Sequence, residues 1–158
     1  MYEILLSFEK VIIMEFLIRK VDKEDWEDLL NWRNDELTRN MSINGGMVKK
    51  EEHYSYMDKM INNNNREQFI FIHDKNKIGT IRIDKLNDEF KEFSYTINPK
   101  YRGNGFGSLM MKLFLFNKVG KYRCEIKPEN IGSIRMVEKN GFQYKYKKEE
   151  ILVYELIK

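Results

Sequence analysis

Arg102-Gly103-Asn104-Gly105-Phe106-Gly107 places three glycines within five residues, between a β-rich run ending near Ile97 and an amphipathic run starting near Gly105. A residue without Cβ lets an anion approach the backbone and accepts a positive φ. A helix start just beyond it offers unpaired N–H groups and about half a positive charge. Arg102 can add a planar cationic fork, so the segment suits an anion such as a phosphate. Ser108-Leu109-Met110 follows, which excludes both the Gly-Lys-Ser/Thr ending of a nucleoside-triphosphate loop and the third glycine of a dinucleotide turn. A tight strand-to-helix turn would use the same glycines without any ligand.

The elements that must position this turn are legible from periodicity. Glu15 to Val21 reads as a strand, and Asp22 with Asp25 forms the acidic start of a helix carrying Trp26, Leu29, Leu30 and Arg33. Residues 34–47 are polar, contain Gly45-Gly46, and read as a loop or short helix over a binding site; Lys49 to Ile61 is a second helix. Gln68 to His73, Ile78 to Asp84 and Phe90 to Ile97, joined by short polar turns, read as an antiparallel meander. Phe106, Leu109, Met110, Leu113 and Phe114 recur at helical spacing. Lys121 to Ile126 is a strand, Ile131 to Lys139 a helix closed by Gly141, and Gln143 to Tyr146 with Ile151 to Ile157 a final strand pair.

At 158 residues with 42% hydrophobic and 34% charged side chains, the composition is that of one ordinary globular domain. A net charge of +3 on scattered lysines gives no nucleic-acid footprint, and the chain shows no membrane segment. The lone Cys124 excludes an internal disulfide and a cysteine-rich metal site, reads as a small hydrophobe on a strand, and fits a reducing, cytoplasmic compartment. The domain is expected over residues 15–158. Residues 1–14 form an extension without signal-peptide character, and Met14 is an alternative start.

Two segments together resemble the GNAT superfamily of acyl-CoA-dependent N-acyltransferases. Residues 102–107 resemble its Arg/Gln-x-x-Gly-x-Gly/Ala turn, and the run Asn130-Ile131-Gly132-Ser133 through Glu138-Lys139-Asn140-Gly141-Phe142 resembles its Asn-x-x-Ser/Ala helix. The resemblance implies an α/β (α+β) fold with a mixed, mostly antiparallel, twisted sheet of about seven strands, flanking helices, and a splayed parallel pair ending near Ile97 and Ile126. It implies acetyl-CoA as co-substrate without a metal, with Thr96, Ile97 and Asn98 on the pantetheine, Arg102, Gly103, Asn104, Gly105, Phe106, Gly107 and Ser108 on the pyrophosphate, and Asn130 further up the arm. A homodimer is compatible with it.

Acetyl transfer to an amine needs a proton acceptor, because an alkyl ammonium has a pKa of about 10.4. Glu92 is the candidate base; alternation puts it on one strand face with Ser94 and Thr96, and Phe93, Tyr95 and Ile97 on the other. A solvated strand residue would occupy the same place. Val137 stands where many family members carry tyrosine, which leaves Ser133, Tyr95 or solvent as the acid for the departing thiolate. His53 and His73 are expected at the surface.

Leu30-Asn31-Trp32-Arg33-Asn34-Asp35 resembles a stretch shared by two branches, acetyltransferases of nucleotide-linked amino sugars (the pseudaminic acid biosynthesis type) and of ribosomal-protein N-termini. The amino-sugar branch is preferred, with Trp32, Arg33, Asn34 and Arg39 as acceptor-binding residues. A peptide N-terminal acetyltransferase and a non-catalytic acyl-CoA-binding module are the alternatives.

Overall fold

The computed structural model describes residues 16–85 and 89–158. The extension at residues 1–14 and most of the expected turn from Leu86 to Glu89 therefore lie outside the described residues. Strand β1 (Phe16–Lys20) leads through a short 3-10 turn into helix α1 (Trp26–Asn34), followed by α2 (Glu36–Met41) and α3 (Lys50–Met60). Strands β2 (Arg66–His73), β3 (Asn76–Lys85) and β4 (Lys91–Ile97) form the meander. Helix α4 (Phe106–Leu115), β5 (Lys121–Ile126), α5 (Ile131–Lys139), β6 (Gln143–Lys148) and β7 (Ile151–Ile157) complete the chain.

One seven-stranded sheet runs β1-β2-β3-β4-β5-β7-β6, antiparallel throughout except for the parallel β4–β5 pair. This is the mixed sheet that the family resemblance implies. Its two faces are covered differently. Phe71, Ile81, Ile83 and Phe93 on one face pack against Met110, Met111 and Phe114 of α4 and Val137 of α5. On the other, Ile70 meets Trp26, Leu29 and Trp32 of α1 and Met57 of α3.

The chain entry to α1 is pinned by Asp25, whose side chain is fully buried. Arg19 donates two hydrogen bonds to its carboxylate at 2.6 and 2.9 Å, the Asp22 N–H donates at 3.0 Å, and Lys77 of β3 lies 2.8 Å away. Burial opposes the Asp25 charge, but these partners outweigh it and hold the pKa down at about 2.

His53 differs from its expected surface position. It lies on the inner side of α3, 8% exposed, with Nε2 2.8 Å from the Trp26 carbonyl oxygen, and burial lowers its pKa. His73 caps the end of β2 between the rings of Phe16 and Phe106.

Candidate active site

The parallel β4–β5 ladder is short: its register contains Lys91↔Tyr122 and Glu92↔Arg123 and then stops. From Phe93 onward the strands diverge, and a cleft of about 1040 Å³ opens between them. Peptide groups that face each other across this gap have no ladder partner there, which leaves them for a ligand.

At one end of the cleft, Asn98 caps a 3-10 turn over Pro99–Tyr101, and the chain enters the glycine segment. Gly103 and Gly105 both have φ of +77°, and a Cβ built on either would meet nothing within 4 Å. Both positions therefore need glycine for conformation and leave open space beside the α4 N-terminus, whose first N–H groups have no intrahelical acceptor. Gly107 differs: a Cβ there would lie 2.7 Å from the Met136 Sδ, so a side chain at this position would make the flexible Met136 of α5 turn aside. The open cradle, together with the cationic fork of Arg102, fits a pyrophosphate.

Arg102 is already engaged. Its Nη2 donates to Asp35 Oδ2 at 2.6 Å and to Thr38 Oγ1 at 2.5 Å, tying the turn to α2. Asp35 also caps α2 by accepting from the Thr38 N–H at 3.0 Å. Asn130 accepts from the Ser133 N–H at 3.2 Å, so it caps α5 while lining the cleft.

Alternation on β4 separates the candidate catalytic groups. Tyr95 faces α5 together with Cys124 of β5, and its hydroxyl neighbours Ser133 without making a hydrogen bond of acceptable geometry. Burial pushes the Tyr95 phenol and the Cys124 thiol well above their ordinary values, so neither ionises as a nucleophile or base. Glu92, Ser94 and Thr96 face the opposite compartment, under α1 and α3. Burial raises the Glu92 pKa; Arg82 draws it back, while Asp84 and Glu125 raise it further.

The floor of that compartment is a polar patch in the middle of the sheet. Cross-strand register aligns Arg66, Asp84 and Glu92 in one row, and Gln68, Arg82 and Ser94 in the next. Arg66 and Arg82 both pair with Asp84, and Gln68 donates to Thr80 Oγ1 at 3.0 Å. None of the residues on β2 and β3 was singled out from sequence, although polar side chains at 66 and 68 and at 80, 82 and 84 carry the same period-two signal as 92, 94 and 96.

The expected acceptor-binding residues separate. Arg33 lines the cleft; Nη2 donates to the Asn44 carbonyl, whereas Nη1 is buried with no partner. Burial, with Arg39 and Arg82 nearby, lowers its pKa. Trp32 is core, 5% exposed, and walls a second cavity of about 430 Å³ behind Arg33. Asn34 uses its amide to brace the loop after α2, donating to the Val48 carbonyl at 2.8 Å and accepting from the Val48 N–H at 2.9 Å. Arg39 donates from Nε to the Asn34 carbonyl at 3.1 Å and lies outside the cleft lining. Asn98 is likewise committed to structure: its N–H donates to the Ile78 carbonyl at 2.8 Å, and its side chain bonds the Lys77 carbonyl and the Lys100 N–H.

Residues 15–143 match the family model described as "Acetyltransferase (GNAT) domain", and the chain belongs to that family. It is an N-acetyltransferase of the kind that uses acetyl-CoA. A domain from Methanocaldococcus jannaschii is 27% identical at a TM-score of 0.71, covering 90% of this chain and 97% of that one. The spermidine N-acetyltransferase of Vibrio cholerae, solved with CoA and spermine, is 18% identical at a TM-score of 0.78 over 91% and 96% of the two chains. The Campylobacter jejuni N-acetyltransferase PseH is 15% identical at a TM-score of 0.70 over 90% and 98%. Curated protein sequences contain no significant match. Among the described residues no helix is long and apolar enough to cross a membrane, and no group of three or more His, Cys, Asp or Glu could hold a metal ion.

Proposed function

We propose that this N-acetyltransferase acetylates a primary amine on a small, anionic, hydroxyl-bearing acceptor, of which a nucleotide-linked amino sugar is the type. The observation that carries this reading is Arg33. Its guanidinium stands where the cleft and the second cavity meet, no carboxylate pairs with it among the described residues, and Nη1 is buried without a partner. A half-buried cation with no carboxylate partner favours an anionic group and repels a polyamine. Arg82 adds to the same wall, though Asp84 offsets it.

In this reading the acyl donor lies on the α4–α5 side of the sheet. Gly103 to Ser108 hold the pyrophosphate, the exposed edge at Thr96 and Ile97 holds the pantetheine arm, and the Asn130 side chain borders the arm. The acceptor enters under α1 and α3, and the β4–β5 gap joins the two compartments. The amine attacks in its neutral form, its ammonium proton lost to solvent, and Glu92 takes the proton that the nitrogen sheds on the acceptor side as it is acylated. Its raised pKa brings it closer to the working pH than an ordinary carboxylate, which improves a general base. Tyr95 and Ser133 are placed on the opposite side, where the sulfur departs, and a neutral phenol or hydroxyl there can donate a hydrogen bond to the developing thiolate.

The test is acetyl-CoA turnover with a UDP-linked 4-amino sugar, spermidine and a peptide with a free N-terminus. Turnover of the sugar in preference to the others is expected. Acetylation of the peptide with none of the sugar overturns this acceptor assignment.

A further inference from the structure

Ser94 lies two residues beyond Glu92 on the same face of β4, and it is the first residue of that face past the last β4–β5 pair. It lines the cleft, yet its Oγ is shielded from solvent and has no hydrogen-bond partner. Its cross-strand neighbour is Arg82, which is opposite Gln68 in turn. The Gln68 amide is spent on Thr80, and Arg82 has no acceptor to offer. A buried hydroxyl without a partner is destabilising, and alanine would avoid that cost in a strand that is otherwise well packed. A hydroxyl also combines a donor and an acceptor, and rotation about one bond swings it toward the gap. Two strand residues span about 6.6 Å, a separation that one carboxylate and one hydroxyl on the same face can bridge.

We infer that Ser94 is a catalytic residue that relays the acceptor's proton to Glu92. As the amine nitrogen forms its bond to the acetyl carbon and the carbon–sulfur bond breaks, the electron pair of that bond leaves on the CoA sulfur. The nitrogen's surplus proton passes to Ser94 Oγ, and the hydrogen already on Oγ passes to the Glu92 carboxylate, which ends neutral. Ser94 is unchanged, and product release returns the Glu92 proton to water. The inference rests on Glu92 as the base and is independent of which amine is the natural acceptor.

The experiment uses the full-length enzyme with whichever amine it turns over fastest, and compares Ser94→Ala, Ser94→Thr, Glu92→Gln and the double variant. Ser94→Ala should lower kcat about 100-fold, the low end of a single proton-transfer contribution, with acetyl-CoA Kd unchanged and the acidic limb of the pH profile unmoved. Ser94→Thr, which keeps the hydroxyl and suits a strand, should restore most of the rate. The double variant should be no slower than Glu92→Gln, because both act on one proton path. Three results overturn the relay: full activity in Ser94→Ala, a displaced pH limb without a fall in the plateau, or an additive loss in the double variant. A fully active Glu92→Gln would remove the base and the relay together, while leaving the acceptor assignment to its own screen.

Discussion

Gly105→Ala isolates the ligand cradle from the fold more cleanly than a larger side chain does. Valine would add a β-branched side chain at φ +77°, a conformation such residues scarcely adopt, and would confuse folding with binding. Alanine costs about 1–2 kcal/mol of backbone strain in the left-handed region, and its Cβ meets no protein atom within 4 Å. Thermal denaturation should therefore show a modest loss of stability and an intact transition. In the proposed cradle the same Cβ stands in the space left for the pyrophosphate. Loss of one charge-assisted hydrogen bond, at about 1.5–3 kcal/mol, corresponds to about 10- to 100-fold weaker acetyl-CoA binding. Gly107→Ala provides the contrast: its Cβ meets Met136 Sδ at 2.7 Å, part of a flexible side chain that can turn aside, and alanine favours the helix, so it should melt near the parent with a smaller change in acetyl-CoA affinity. Calorimetric titration of folded Gly105→Ala with acetyl-CoA decides the matter, and parental affinity would refute the cradle.

Glu92→Gln should lower kcat about 100-fold or more at neutral pH with acetyl-CoA affinity retained. Because burial raises the carboxyl's folded-state pKa, stability from this group is present at low pH and lost as pH rises through that value, so Glu92→Gln should also melt higher than the parent at neutral pH. Arg33→Ala should raise the KM for a UDP-linked amino sugar about 10- to 100-fold without changing acetyl-CoA affinity, whereas Arg39→Ala, outside the cleft lining, should leave that KM near the parental value. Asp25, lowered from 3.8 to about 2, contributes stability above its ordinary pKa that is lost as pH falls through about 2. The shift is worth about 2 kcal/mol, so acid denaturation of Asp25→Asn should lack this limb. An unchanged acid midpoint would show that Arg19 and Lys77 do not discriminate the charged form.

The elements were legible where a single period dominates a segment. The run from Phe106 to Phe114 keeps one apolar stripe, and the structure forms a helix there; Lys121–Ile126 and Ile131–Lys139 appear with the same bounds in both readings. Single side chains were harder to place. Trp32, Arg33 and Asn34 are consecutive, but the helix turns them about 100° apart, so one enters the core, one the cleft and one braces a loop. Adjacency in a motif hides that division. His53 is flanked by charged residues, yet Trp26 supplies its ring with a carbonyl partner from another helix, a tertiary contact that local polarity does not show. The Arg102 clasp to Asp35 joins residues far apart in sequence and needs the fold before it can be seen.

The strands of a sheet covered on both faces are ordinarily apolar on both, and here the face under α1 and α3 departs from that rule across β2, β3 and β4. Among the described residues, buried side-chain polar atoms with neither a hydrogen bond nor an ion-pair partner occur on Trp26, Arg33, Ser94 and Tyr95, and the last three of these residues line the cleft; Arg82 Nε, also there, lies 2.9 Å from Asp84 Oδ2. Such atoms are individually destabilising, and native proteins keep few of them. Chance distribution would scatter them through both cores. Their concentration on the two sides of one gap instead marks where a bound molecule must supply the missing donors and acceptors. Arg33 and Ser94 lie on the proposed acceptor side and Tyr95 on the proposed donor side, so the unpaired atoms divide between the compartments as transfer between two substrates requires.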